Sequence, residues 1–187
     1  MAVVRAPLSL KARAIGLLAQ REHSRTELRR KLLLIERRMR QAKALATAEP
    51  CSAPGADVGE DDMGLADTAP GDVIEAGEAA VDTLLDALAA DGYLDENRFV
   101  ESRLHQRAGR FGAQRIQQEL AQHGLRLDAE QQAALRATEL ARAREVWLKR
   151  FGPEPATEPT EQARQTRFLL ARGFAADVVR RVLRSAG

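Results

Sequence analysis

The sequence predicts an all-α fold, and three features predict it. Ala, Leu, Arg and Glu dominate a chain that is 44% hydrophobic and only 4% aromatic, which favours helix and leaves a sheet few residues to pack with. Apolar residues recur at helical spacing, as in Val81, Leu84, Leu85 and Leu88, an i, i+3, i+4, i+7 stripe. Capping patterns and glycines then cut the chain into short helices. At 187 residues it holds one domain or a string of small units.

The elements follow in order. A first helix runs from about Ser9 to Arg21 with Ala12, Ile15, Leu18 and Ala19 inward. Ser24 and Glu27 make a capping-box pattern that starts a second helix, with Leu28, Leu32 and Ile35 inward, to about Gln41. From Ala42 to Gly77 the character changes: Pro50, Pro54, Pro70 and five glycines lie among small and acidic residues. Such a stretch cannot offset its ordering entropy, so residues 42–77 read as a long, acidic, disordered insertion. Its run Asp57–Asp62 lacks the ligand spacing of a calcium loop. The Val81–Leu88 stripe ends at Asp91-Gly92, and Asp95 caps a helix bearing Phe99 and Leu104 that stops near Gly109. Gly112 opens the next, with Ile116 and Leu120 inward, closed by Gly124. Asp128 and Gln131 form a second capping-box pattern at the head of helical sequence running to about Arg150. Prolines between Pro153 and Pro159 break it, Thr160 caps a helix ending at Gly173, and Phe174, Val178, Val182 and Leu183 mark the last.

Internal similarity is visible. Gly112–Leu120 resembles Ser24–Leu32 at a shift of 88, and Arg115…Leu120…Gly124-Leu125 resembles Arg164…Leu169…Gly173-Phe174 at a shift of 49. Short helices need packing to be stable, and stacked helical repeats predict an elongated, curved body with one long binding face.

Charge is segregated. Residues 1–43 hold twelve Lys/Arg against three acids, residues 44–96 fourteen acids with no Lys or Arg, and residues 97–187 seventeen Lys/Arg against ten acids. Two basic blocks around an acidic one predict a polyanionic partner and an internal segment that competes with it. Arg103, Arg107 and Arg110 share a helix face at i, i+4, i+7; Arg25 and Arg29 are i, i+4, with Arg30 and Lys31 beside them; Arg180 and Arg184 repeat the pattern. Guanidinium binds phosphate bidentately and also pairs with acidic protein surface. Phe99, Phe111, Trp147, Phe168 and Phe174 fall on apolar faces or helix ends, which leaves few rings to stack on bases.

Catalytic chemistry is not indicated. The chain has no P-loop, no GxGxxG after a strand and no His-Glu-x-x-His. His23, His105 and His123 lie apart, and Cys51 stands alone, which excludes an intramolecular disulfide and a cysteine-rich zinc site. The expectation is a protein with no catalytic residues, metal, cofactor or small-molecule substrate. No apolar run reaches the roughly 18 residues of a membrane span, and the chain reads as cytoplasmic.

Four motifs, in order, resemble the RecX family of bacterial recombination regulators: His23-Ser24-Arg25…Glu27-Leu28…Lys31-Leu32, Gly92-Tyr93-Leu94-Asp95…Arg98-Phe99, Arg115-Ile116…Glu119-Leu120…Gly124, and Arg172-Gly173-Phe174. The resemblance implies three tandem three-helix repeats and a non-enzymatic role: binding the RecA recombinase filament on single-stranded DNA and repressing its recombinase, ATPase and coprotease activities. In its terms residues 1–41 begin the first repeat and 42–77 are the insertion. Residues 78–126 then complete the first repeat and hold the second, and 127–187 form the third. Arg115 and Arg172 join the other basic residues as candidate contacts to recombinase or to the DNA backbone, the latter weak and non-specific. The chain departs from the family in its acidic stretch, in Glu36 where a helix-ending glycine is expected, and in Ala175 where a serine cap is common. A helix-turn-helix transcription regulator is the alternative reading.

Overall fold

The computed structural model describes residues 8–47, 70–154 and 156–185. Among the described residues there are nine helices and no strand: α1 (Leu10–Leu18), α2 (Arg25–Thr47), α3 (Pro70–Ala90), α4 (Glu96–Ala108), α5 (Ala113–Ala121), α6 (Ala129–Ala137), α7 (Glu139–Phe151), α8 (Pro159–Ala171) and α9 (Ala176–Ser185). None is long and apolar enough to cross a membrane. The chain divides into two units, residues 1–94 and 95–187.

In the first unit, α1 is capped by Ser9, whose Oγ accepts from the Ala12 N–H at 3.2 Å. Its inward face differs from the predicted one. Ala14 is fully buried, with Leu10, Ile15, Leu17 and Leu18 around it, whereas Ala12 and Ala19 are exposed. The Leu10, Ala14, Leu17, Leu18 stripe carries more apolar area than the alanine pair, and area decides which side turns in. Leu28 and Leu32 of α2 meet Val81, Leu85 and Leu88 of α3 in one core, all at 0% exposure. At the start of α2, the Glu27 N–H donates to Ser24 Oγ at 3.2 Å, one half of the expected capping box.

The insertion boundaries need correction. Helix runs on to Thr47 and resumes at Pro70, so residues 42–47 and 70–77 are helical and not loop. Alanine-rich sequence favours this, and the two helices support each other: Arg40 pairs with Glu36 at 2.5 Å, and Gly77 on α3 is buried against both side chains. Residues 48–69, with Cys51 and the Asp57–Asp62 run, lie outside the described residues.

The second unit contains two cores. Phe99, Val100, Ala113, Ile116, Leu120 and Leu135 join α4, α5 and α6. Ala143, Val146, Trp147, Leu169, Phe174, Val178, Val179 and Val182 join α7, α8 and α9. The single helical stretch expected from Asp128 to Arg150 is therefore two helices meeting at Thr138. The break has a physical cause. Leu135 and Ala143 serve different cores, so the axis must turn between them, and Thr138 Oγ1 donates to the Ala134 carbonyl at 3.2 Å beside the turn. The Asp128–Gln131 capping box forms in full. Helix α8 does not use Thr160 as cap; it starts at Pro159, whose missing N–H would have no partner at that position anyway. Helices α3, α5 and α8 all close in the same way, with an N–H five residues on returning to the carbonyls of Leu88, Leu120 and Leu169 at 2.9, 3.0 and 3.3 Å.

Candidate functional site

The arginines of the second unit gather around one ring. Helix α4 projects Arg107, the α4–α5 turn carries Arg110 and Phe111, and α5 projects Arg115. Their guanidinium carbons stand 5.5, 5.9 and 5.9 Å from the centroid of the half-buried Phe111 ring. A fourth, Arg172, arrives from the α8–α9 turn at 5.9 Å and also covers Phe168 at 4.5 Å. Among the described residues one carboxylate answers the four: Glu119 lies 3.2 Å from Arg107 Nε and 3.6 Å from Arg115 Nε. Guanidinium planes held against an aromatic face keep N–H edges available for an anion. Arg103 sits over Phe99 at 5.1 Å, on the same helix. A cleft of about 390 Å³ opens beside them, lined by Arg103, Arg107, Arg115, Glu119 and His123, among others.

Arg172 reaches a ring in another repeat because two turns are locked together. The Gly112 N–H donates to the Arg172 carbonyl at 2.9 Å, the Gln114 N–H to the Gly173 carbonyl at 3.2 Å, and Arg172 Nη1 to the Arg110 carbonyl at 3.2 Å. The approach leaves no room for side chains: a Cβ on Gly112 would strike the Gly173 carbonyl, and one on Gly173 would strike Arg115. Gly173 also has φ +79°, in the left-handed region that favours glycine.

Two residues that sequence reasoning missed hold this junction. Glu139, at the head of α7 and 4% exposed, accepts through one carboxylate oxygen from the Ala113 N–H at 3.1 Å and the Ala175 N–H at 3.4 Å. It thereby supplies the starts of both α5 and α9, where Gly112 and Ala175 have no side-chain cap to offer. Arg142 donates to the carbonyls of Ala108, Phe111 and Leu135 at 2.7, 2.9 and 2.7 Å. Burial lowers its pKa, opposed by the nearby Glu139 charge. In sequence both look like solvated helix residues; the one available signal is the missing cap at Gly112.

The remaining predicted contacts are placed differently. Arg25 pairs with Asp86 at 2.6 Å, and Arg29 with Asp82 at 2.7 Å and Glu78 at 3.4 Å, so the folded part of the acidic block engages them within the first unit. The hydrogen bond from Arg29 holds the Asp82 carboxyl below its usual range. Lys31 lies 3.5 Å from Glu27, which also takes Arg21. Arg30 is exposed. Arg180 and Arg184 stand exposed on α9, where Arg184 Nε donates to the Arg180 carbonyl at 3.3 Å. Of the eleven predicted residues, four form one cluster. Among the described residues no group of His, Cys, Asp and Glu could hold a metal ion.

Comparison with known proteins gives one consistent result. Residues 95–133 match the second three-helix domain of RecX and residues 137–183 the third. The chain is 42% identical over its full length to Regulatory protein RecX of Ralstonia nicotianae, covering 93% of that protein. It is 45% identical over its full length to the namesake in Leptothrix cholodnii, covering 94%. With that of Pseudomonas putida it shares 34% over 97% of its length, covering 94%. The first match starts at the cap of α4 and ends within α6, and the second runs from the end of α6 into α9.

Proposed function

We propose, from the premise that this chain belongs to the RecX family of regulatory proteins, that it binds a RecA recombinase filament on single-stranded DNA and represses its recombinase, ATPase and coprotease activities. The observation that carries this reading is the arginine cluster: four guanidiniums drawn from two repeats, with one carboxylate among them. A nucleoprotein filament offers phosphate and acidic side chains together, and guanidinium accepts either. The rings lie under the arginines, which favours contact with the sugar–phosphate backbone over stacking on bases, and so binding without sequence preference. Repression needs no chemistry from the chain. Occupying filament surface is enough.

The test is an ATPase assay of the cognate recombinase on single-stranded DNA, titrated with the protein. ATP turnover falls towards a plateau as the protein saturates the filament. Unchanged turnover at several-fold excess refutes the reading. A defined footprint on duplex DNA would instead identify a transcription regulator.

A further inference from the structure

The first unit carries a groove that the arginine cluster does not explain. Ile35, Met39 and Ala42 lie on α2 at i, i+4, i+7 and form its apolar floor. Arg38 and Lys43 of α2 flank this stripe on opposite sides at helical spacing, and Arg13 of α1 completes the lining, around a volume of about 600 Å³. Among the described residues no acidic one lines it. The acids of α2 are engaged elsewhere: Glu36 with Arg40 beside Gly77 of α3, Glu27 with Arg21 and Lys31. Leu34 and Leu45 on the same helix are 52% and 74% exposed.

We infer that this groove docks an acidic amphipathic helix of a protein partner. The floor runs two turns, about 10 Å at 1.5 Å per residue, the span of anchors at i, i+4 and i+7 on a docking helix. Met39 adapts its shape to such anchors. Acids flanking the anchors on the incoming helix would meet Arg38 on one side of the floor and Lys43 on the other, with Arg13 adding a third positive charge, and that charge complementarity selects the partner. Nucleic acid fits less well: its phosphates could meet the three cations, but an apolar floor without an aromatic ring gives its bases nothing to stack on. The inference goes beyond the filament reading. It gives the first unit a protein-binding role separate from the arginine cluster.

Two measurements on the full chain test it. The first is fluorescence anisotropy with a labelled helical peptide of about 15 residues, bearing leucines at i, i+4, i+7 flanked by glutamates. Binding on the order of 10–100 µM is expected, a weak transient contact, falling about tenfold for Met39→Glu and for a peptide with its leucine stripe scrambled. Equal binding of the scrambled peptide overturns the inference, as does displacement of the peptide by oligo(dT). Binding seen only after residues 48–69 are replaced by a Gly/Ser stretch also overturns it, because the chain's own acidic segment then occupies the groove. The second measurement places the photocrosslinker p-benzoylphenylalanine at position 39 and irradiates with recombinase filament. A crosslink to a recombinase segment with an acidic, apolar-striped helix is the expected result. Co-sedimentation without any crosslink overturns the docking site while leaving the filament reading intact. Failure to co-sediment counts against the filament reading, and the peptide result then decides the groove alone.

Discussion

Replacing Glu139 tests whether one buried carboxylate holds the second and third repeats in register. Its oxygen accepts two backbone N–H groups, at 3.1 and 3.4 Å. A hydrogen bond to a charged group contributes about 1.5–3 kcal/mol, the longer of the two at the weak end. Glu139→Ala removes the acceptor of both bonds and strands the Ala113 N–H in a residue only 6% exposed, so the expected loss is about 3 kcal/mol, a large share of a domain's stability. Glu139→Gln keeps an acceptor oxygen. It forfeits a negative charge at two helix starts, which costs about 1 kcal/mol in total. Trp147, the single tryptophan, is 2% exposed in the core of the third repeat and donates to Gln165 at 2.8 Å, so urea unfolding followed by its fluorescence reads this unit directly. The order wild type, Gln, Ala is the signature. An Ala variant within about 0.5 kcal/mol of wild type, or a Gln variant as damaged as Ala, refutes the bridging role.

Three further outcomes follow from the same geometry. Arg110→Ala with Arg172→Ala should reduce the salt dependence of oligo(dT) binding by up to about 1.4 in slope, at about 0.7 for each phosphate no longer neutralised, with the Trp147 unfolding midpoint little changed; an unaltered slope places the DNA-binding surface elsewhere. Gly173→Ala puts a Cβ into Arg115 at a positive φ, so it should cost more than the ~1–2 kcal/mol of left-handed strain alone, read as an early urea transition. Acid should unfold the first unit before the second. Burial pushes the Glu27 carboxyl up, but Arg21, His23 and Lys31 overcome this and hold it at about 2, so its stabilisation is present above the unfolded value near 4.5 and lost as pH falls towards 2. Burial, then the Arg21 charge, lowers the pKa of His23, so it too loses stability as pH drops below 6.5. Circular dichroism should therefore lose helix at a higher pH than that at which Trp147 responds. Coincident transitions would contradict this assignment.

What the sequence conveys, and what it does not, divides along the range of the interaction. Caps act within three or four residues, and Asp95, Asp128 and Gln131 are readable for that reason. Leucine stripes are periodic, so the Leu28–Leu32 and Leu85–Leu88 faces are readable too. Helix extension is not, since α2 and α3 lengthen by packing on each other and neither segment shows this alone. The glycines at 112 and 173 read as turns, but their contact with each other joins residues 61 positions apart. Glu139 is hidden for the same reason: its two partners lie 26 and 36 residues away. The arginines at 107, 110, 115 and 172 stand out by charge, and only the fold shows that they share one ring.

The charge pattern takes on a sharper meaning once the folded acids are placed. The first basic block meets its counter-ions on α3, where Glu78, Asp82 and Asp86 engage Arg25 and Arg29. The side chains of these pairs are 37–69% exposed, and such pairs contribute little, about 0–1 kcal/mol each. They nonetheless neutralise that face. The arginine cluster of the second unit is less well supplied: four guanidiniums lie within 5.9 Å of one centroid, so no two are further apart than twice that radius. Like charges at separations comparable with the Debye length of about 8–10 Å still repel. Cation–π contact returns about 0.5–1 kcal/mol per pair at exposed sites, and Glu119 offsets part of the rest. The remaining positive charge is what an incoming anion relieves, so the affinity of this cluster for phosphate or carboxylate grows out of repulsion already present in the unbound fold. It follows that Glu119→Gln, which removes that internal counter-ion, should tighten oligo(dT) binding at low salt while lowering stability, the two effects opposite in sign. Weaker binding by that variant would show that Glu119 positions the arginines more than it competes for them.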